Sequence, residues 1–171
     1  MPDNDAVSAA TTRQVSYHDA DAQPLTGQVQ QEYIHRYGGP DGSPMDRGEF
    51  SPPNCHFLVR YDDGRPVAMG GWRVSESARA ELQLDGPVAE LKRMYVVPAS
   101  RGRGHARGVL RDLEQTAAAA GAEWIVLETG MMQPDAVAPY QSSGFEPVAA
   151  FGHYADSPHS IHLGKRLGPI G

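Results

Sequence analysis

The chain has 171 residues, 40% hydrophobic and 21% charged, a size suited to one domain with a single core. No apolar run approaches the roughly 20 residues that cross a bilayer, and the acidic, polar start MPDNDAVSAATT lacks the segments of a secretory signal. One cysteine, Cys55, excludes an internal disulfide, and the expected compartment is the cytoplasm.

The net charge of −6 is unevenly placed: residues 1–89 hold thirteen acids and seven bases, residues 90–171 eight of each. An acidic total without a spread basic and aromatic surface argues against nucleic acid. Residues 1–12 read as a mobile tail and 13–171 as a single domain. Arg13–Tyr17 (RQVSY) is predicted as a short first strand. Leu25–Tyr37 has apolar residues at 25, 29, 33 and 37, with Ile34 beside them, the spacing of a helix face. Gly38–Asn54 is dense in Gly and Pro and reads as loop. Cys55–Tyr61, the turn Asp62-Asp63-Gly64 and Pro66–Val74 form a hairpin. The Gly70-Gly71 pair in its second arm predicts a bulge or a close backbone approach.

Glu90–Val97 is a strand stopped by Pro98. From about Gly104 a helix carries Ala106, Val109, Leu110, Leu113, Ala117 and Ala120 on one face, and Gly121 stops it. Trp124–Glu128 (WIVLE), almost wholly apolar, is a central strand. Pro134–Ser142 is a further helix with Pro in its first turn, and Glu146–Tyr154 and Ser160–Lys165 close the sheet. The fold class is therefore α+β, a mixed α/β arrangement of antiparallel hairpins with one strand–helix–strand crossover that makes two strands parallel neighbours.

The most informative stretch is ELKRMYVVPASRGRGHARGVLRDLEQTAAAAG, Glu90 to Gly121. A Gly/Arg turn at a helix start aims free N–H groups and the positive end of the helix dipole at one point, an anion site suited to a pyrophosphate. The N–H groups of Arg103, Gly104, His105 and Ala106 are the predicted cradle; at Gly104 a side chain would block approach or demand an unfavourable φ. Arg101, Arg103 and Arg107 add full charge around it. A plain helix cap with solvated arginines is the other use of this turn. A dinucleotide site is not, because Gly102, Gly104 and Gly108 do not space as G-x-G-x-x-G and no G-K-[ST] loop exists.

This order of elements, with these motifs on it, resembles the GNAT superfamily of acyl-CoA-dependent N-acyltransferases. RGRGHA (Arg101–Ala106) is similar to that family's pyrophosphate turn, and MYVVP to its splayed strand, whose backbone edge hydrogen-bonds the pantetheine arm. AVAPYQSSGF (Ala136–Phe145) is similar to its second signature, a Tyr ahead of Gly-Phe. The match covers 55–167, with EYIHRYGG nearer the amino terminus a looser likeness. It implies a twisted, mostly antiparallel sheet of roughly six to seven strands with flanking helices and one parallel pair at the cofactor cleft. It also implies acetyl-CoA as co-substrate, held by Met94, Tyr95 and Val96 and by Arg101, Arg103, Gly104, His105, Ala106 and Arg107. Many members carry Asn just before the second helix; here Gln133 stands nearby as the last cofactor contact.

Acyl transfer to an amine needs a neutral nucleophile, a polarised carbonyl and a protonated leaving thiol. An alkylamine has a pKa near ~10.4, so something must take its proton. Glu90 occupies the strand position where some GNAT members carry a general base; its other use is a solvated edge or an ion pair with Lys92 or Arg93. Glu128, at the carboxyl end of the following strand, is the second candidate, and ordering the next loop is its other use. A base buried in the cleft is expected to show a raised pKa. Tyr140 resembles the family's general acid, placed to protonate the departing thiolate, and packing opposite Phe145 is its other use. The carbonyl is expected to be polarised by a backbone N–H on the Met94–Val97 edge. Cys55 lacks a partner His/Asp arrangement, against an acyl-cysteine route, and the histidines lack metal-ligand spacing, so no metal is expected. Trp72, Tyr33 and Tyr37 read as core or rim packing, or as lining of an acceptor cleft.

The expectation is an acetyl-CoA-dependent N-acetyltransferase acting by direct attack in a ternary complex on a small-molecule or peptide amine. The acceptor enters between the amino-terminal helix, its Gly/Pro loop and the His153–Ser160 segment. The acidic first half favours a cationic amine. A non-catalytic acyl-CoA sensor is the alternative, and the presence of Tyr140 counts against it. Neither membrane nor nucleic acid is an expected partner; pairing into a homodimer is left open.

Overall fold

The computed structural model describes residues 9–42, 52–131 and 134–168. Residues 1–8 of the expected tail, 43–51 of the Gly/Pro loop, and Gln133 lie outside them. The elements are β1 Thr11–Gln14, α1 Ala22–Tyr37, β2 Cys55–Asp62, β3 Arg65–Val74, α2 Glu76–Glu81, β4 Val88–Val96, α3 His105–Ala119, β5 Trp124–Gly130, α4 Pro134–Ser142, β6 Glu146–Pro147 and β7 Ser160–Arg166. Among the described residues seven strands make one sheet, ordered β1-β2-β3-β4-β5-β7-β6. Neighbours are antiparallel except β4 and β5, which are parallel because α3 carries the chain back across the sheet between them. The expected fold class holds.

Period-2 alternation decides which helix each strand residue meets. Phe57, Val59 and Met69 face α1, where Ala22, Leu25 and Val29 cover them. Leu58, Ala68, Leu91, Ile125 and Leu127 face α3, packing on Val109, Leu110, Leu113 and Ala117. Burying each such Val or Leu is worth about 1.5–3 kcal/mol. Trp72 sits in this second layer, 3% exposed, and its Nε1–H donates to Thr116 Oγ1 at 2.9 Å. It pins α3 to β3 and is core, not cleft. No helix among the described residues is long and apolar enough to cross a membrane.

Four local readings differ. β1 starts at Thr11 rather than Arg13 and ends at Gln14, although Val15 still donates to the Phe57 carbonyl at 3.0 Å. α1 begins three residues before Leu25, at Ala22, with Pro24 in its first turn where no N–H is needed. α2 has no counterpart in the expected elements; Ser75 caps it by accepting from the Ala78 N–H at 3.2 Å. The strand expected over Glu146–Tyr154 shrinks to Glu146–Pro147: Val148 N–H still donates to the His162 carbonyl at 3.0 Å, but the chain then leaves the ladder, and Gly152 at φ +76° opens the turns that lead to β7.

The Gly70-Gly71 signal proves to be both bulge and close approach. Opposite β3, Gly71 pairs with Lys92 and Met69 with Tyr95, so Arg93 and Met94 together face Gly70. A Cβ at Gly70 would collide with the Met94 thioether and lie 3.1 Å from Leu113 Cδ1; one at Gly71 would lie 2.5 Å from Phe57 Cδ2. Arg93 takes a φ of +57° at the bulge.

Candidate active site

The parallel ladder is short. Val88, Ala89 and Glu90 pair with Trp124, Ile125 and Val126, and there it stops, although β4 runs on to Val96 and β5 to Gly130. Past that point the strands part. The β4 bulge resets the alternation, sending Met94 and Val96 toward the α3 layer and Tyr95 toward α1. At the gap, reaching from α3 and α4 to Val29, Glu32 and Arg36 of α1, lies a cleft of about 740 Å³, lined also by Met94, Tyr95, Val96, Leu110 and Tyr140 and closed at one end by Arg101–Arg107.

The turn has the conformation its glycines require. Gly102 and Gly104 sit at φ +77° and +82°, and a Cβ on either would meet no atom within 4 Å among the described residues beyond its chain neighbours. The room outside the turn is therefore open to a ligand. Gly104 caps α3 without side-chain help and with no acid in the first turn. The first intrahelical bond runs from Gly108 N–H to the Gly104 carbonyl at 3.0 Å, so the N–H groups of His105, Ala106 and Arg107 precede it. This fits a pyrophosphate, and coenzyme A would be held here by main chain.

The three arginines divide. Arg101 is a strut: Nε donates to the Val96 carbonyl at 3.0 Å and Nη2 to Glu32 at 2.7 Å, with its guanidinium 5.6 Å from the Tyr95 ring centre. Arg103 is 63% exposed, 3.7 Å from Asp62, and Arg107 donates to Ser142 of α4 at 3.0 Å. His105 turns inward: Nδ1 accepts from Arg60 Nε at 3.3 Å and Nε2 lies 3.6 Å from Asp62. Sequence reasoning missed Arg60 and Asp62, which hold the turn from the β2–β3 hairpin; nothing in their local pattern marks them.

The two carboxylate candidates have different surroundings. Glu90 is 6% exposed and locked between Lys92 at 3.0 Å and Arg73 at 3.4 Å. The partner on the far strand, Arg73, is its cross-strand neighbour and was not anticipated. Glu128 stands past the end of the ladder, accepting only from Ser160 Oγ at 3.3 Å among the described residues. Burial raises its pKa to about 7; Lys92 and the Ser160 hydrogen bond oppose this, while Asp41 and Glu90 add to it. Tyr140 is 7% exposed, its ring edge-on to Phe145 at 5.7 Å, so the packing and cleft-lining uses coexist. Burial, then the Tyr33 phenol, pushes its own phenol above the ordinary value.

Beside Glu128, polar groups from distant segments are joined by hydrogen bonds. Arg93 Nη1 donates to Asp41, Tyr154 donates to the other Asp41 oxygen at 2.9 Å, and Gly42 N–H donates to the Tyr154 hydroxyl at 2.8 Å. Tyr37 packs its hydroxyl where a Cβ of Gly130 would stand. The loop after α1 and the turn around Tyr154 thus meet over Glu128, on the side where the acceptor is expected. The acids here are engaged: Asp41 by Arg93 and Tyr154, Glu90 by Lys92 and Arg73. Cys55, 7% exposed on β2, has its thiol pushed up by burial.

The sequence model of the acetyltransferase (GNAT) family matches residues 24–145. The IAA acetyltransferase of Azospirillum brasilense is 32% identical over 123 residues, 72% of this chain and 75% of that protein. The uncharacterised N-acetyltransferase YsnE of Bacillus subtilis is 32% identical over 124 residues, 68% and 82% of the two chains. A solved Klebsiella pneumoniae structure, a candidate acyl-CoA N-acyltransferase, superposes with a TM-score of 0.75 at 26% identity, covering 94% of this chain and 99% of that one. Family members move an acyl group from acetyl-CoA or another acyl-CoA to an amine. Matched over most of its length, this chain belongs to the GNAT family and is an acyltransferase.

Proposed function

We propose that the chain acetylates a primary amine by direct transfer in a ternary complex, with Glu128 as general base and Tyr140 as hydrogen-bond donor to the leaving thiol. The observation that carries this reading is the raised Glu128 carboxyl at the open end of the β4–β5 splay. A carboxyl near 7 can accept a proton from an arriving ammonium far better than an ordinary glutamate. Glu90 is less suited: protonating it would break two buried ion pairs at once. Its role is to hold Lys92 beside the site.

Acetyl-CoA, when bound, supplies the activated acyl carbon and the thiol. Glu128 takes the proton from the acceptor nitrogen, directly or through water, as nitrogen bonds to the acyl carbon and the carbon–sulfur bond breaks. Tyr140, with its phenol raised by burial, stays protonated at neutral pH and donates into the cleft. Giving its proton outright to a thiolate of pKa about 8.5 is uphill, so most of its effect is hydrogen-bond stabilisation. The buried, raised Cys55 thiol supports transfer without an acyl-cysteine.

The test is acetyl-CoA-dependent thiol release, with product mass, across polyamines, aminoglycosides, arylamines, amino acids and short peptides. Release that requires one amine class supports the reading. Tight acetyl-CoA binding with no release for any amine would remove it.

A further inference from the structure

Arg93 stands at the β4 bulge, with only 5% of its side chain exposed. Its Nη1 is given to Asp41, while Nε is buried without a hydrogen-bond partner among the described residues. A buried guanidinium N–H left without an acceptor is rare and costly, so it marks a place where a further acceptor belongs. The Nε side of a guanidinium is one of the edges that matches a carboxylate. Asp41, which holds the other end, is tied through Tyr154 to the loop over Glu128. The Tyr33 phenol, raised mainly by burial, also senses Asp41, Arg93 and Glu128, so these groups lie within electrostatic reach of one another.

The charges grouped around Arg93 do not suit a polycation. Glu90 and Asp41 are each already held by a cation, whereas the guanidinium beside them keeps a donor unspent. We propose that the acceptor is an amino acid, or an amine with a carboxylate close to its nitrogen, and that Arg93 binds that carboxylate through its Nε edge while Glu128 faces the amino group. The inference rests on the proposed amine acetylation and narrows it, against the cationic amine that the charge distribution favours.

Matched acceptor pairs test it on the intact wild-type protein: leucine against 3-methylbutylamine, phenylalanine against 2-phenylethylamine, lysine against 1,5-diaminopentane. The expected result is a kcat/KM at least about tenfold higher for the amino acid in one pair or more. In Arg93→Gln that preference falls by about tenfold, and Arg93→Lys keeps part of it. The preference is a ratio within each protein, so partial loss of folded enzyme does not move it, and the wild-type ratios need no variant. Acetylation of the decarboxylated amines as well as or better than the amino acids would overturn this inference and leave amine acetylation standing. An amino-acid preference unchanged in Arg93→Gln would overturn the assignment to Arg93. No transfer to any acceptor, with acetyl-CoA bound, would remove both readings.

Discussion

The two sides of the splay are built in different ways. On the α3 side the anion site comes from consecutive residues, Arg101 to Arg107, and its chemistry is main-chain N–H and a helix end. On the α1 side the polar cluster comes from Tyr33, Asp41, Arg93, Glu128 and Tyr154, one from each of five separate segments, and its chemistry is side-chain charge. A main-chain site tolerates most substitutions around it and fails where a glycine is lost. A side-chain site fails with one functional group. The variants below should divide along that line.

The largest effect is expected on the side-chain side. Glu128→Gln should lower kcat/KM for the amine by roughly 10²–10⁴-fold, the range of a lost general base. Acetyl-CoA binding should stay within about twofold, because Glu128 is not part of the turn. The active form is the carboxylate, so wild-type kcat/KM should rise with pH around a midpoint near 7, and this limb should vanish in the variant. Stability should move the other way. A carboxyl raised from 4.5 to about 7 binds its proton more tightly in the folded chain, so its contribution is lost as pH climbs through that window. At pH 8 the variant should therefore be more stable, by up to about 3 kcal/mol, in denaturant unfolding. A pH limb surviving in Glu128→Gln would return the base to Glu90 or to water.

Tyr140→Phe should cost less, about 10–100-fold in kcat, with little change in KM for acetyl-CoA. Its ring packing against Phe145 survives the change, and the hydroxyl makes no hydrogen bond among the described residues. Unfolding should accordingly be unaffected, which separates a chemical role from a structural one. Equal activity would exclude Tyr140 from the reaction.

What the sequence could disclose follows the same division. The phosphate turn was legible because its physics is local: glycines at positive φ, arginines and a helix start lie within seven residues. The crossover and the parallel pair were legible because a strand, a helix and a strand in succession leave few alternatives. The bulge was half-legible, since Gly70-Gly71 signals close approach but not that Arg93 and Met94 share the space opposite. Glu90 and Glu128 could not be ranked, because Arg73, Ser160 and the burial that separates them come from other strands. The Asp41–Arg93–Tyr154 network spans 113 positions between Asp41 and Tyr154, so no window of sequence contains it. β6 was read too long because the apolar run continues past the pairing, where Phe151 is buried against Ala78, Val88 and Val126 from a non-strand segment.

Gly104→Ala breaks the main-chain side at its most constrained point. A residue with a Cβ at φ +82° costs about 1–2 kcal/mol, and the new methyl occupies space that the protein itself leaves empty. The KM for acetyl-CoA should rise about tenfold with kcat retained, the reverse of the Tyr140→Phe pattern. Unchanged KM would mean that the turn does not hold the pyrophosphate.

The smallest effect sharpens the comparison, because it concerns side-chain charge on the main-chain side. Arg101 is already committed to Val96 and Glu32, so it is a poor candidate for the 3′-phosphate of coenzyme A. Arg103 is exposed and, among the described residues, held only by a 3.7 Å contact to Asp62. An exposed ion pair is worth about 0.2–1 kcal/mol, so Arg103→Ala should raise the acetyl-CoA KM by no more than about fivefold. The rise should shrink in high salt, since such charges are screened over a Debye length of about 8–10 Å at ordinary ionic strength. It should also be absent with 3′-dephospho-acetyl-CoA, whose missing phosphate leaves Arg103 nothing to bind. An equal rise for both donors would mean that Arg103 supports the turn through Asp62 and does not touch the phosphate.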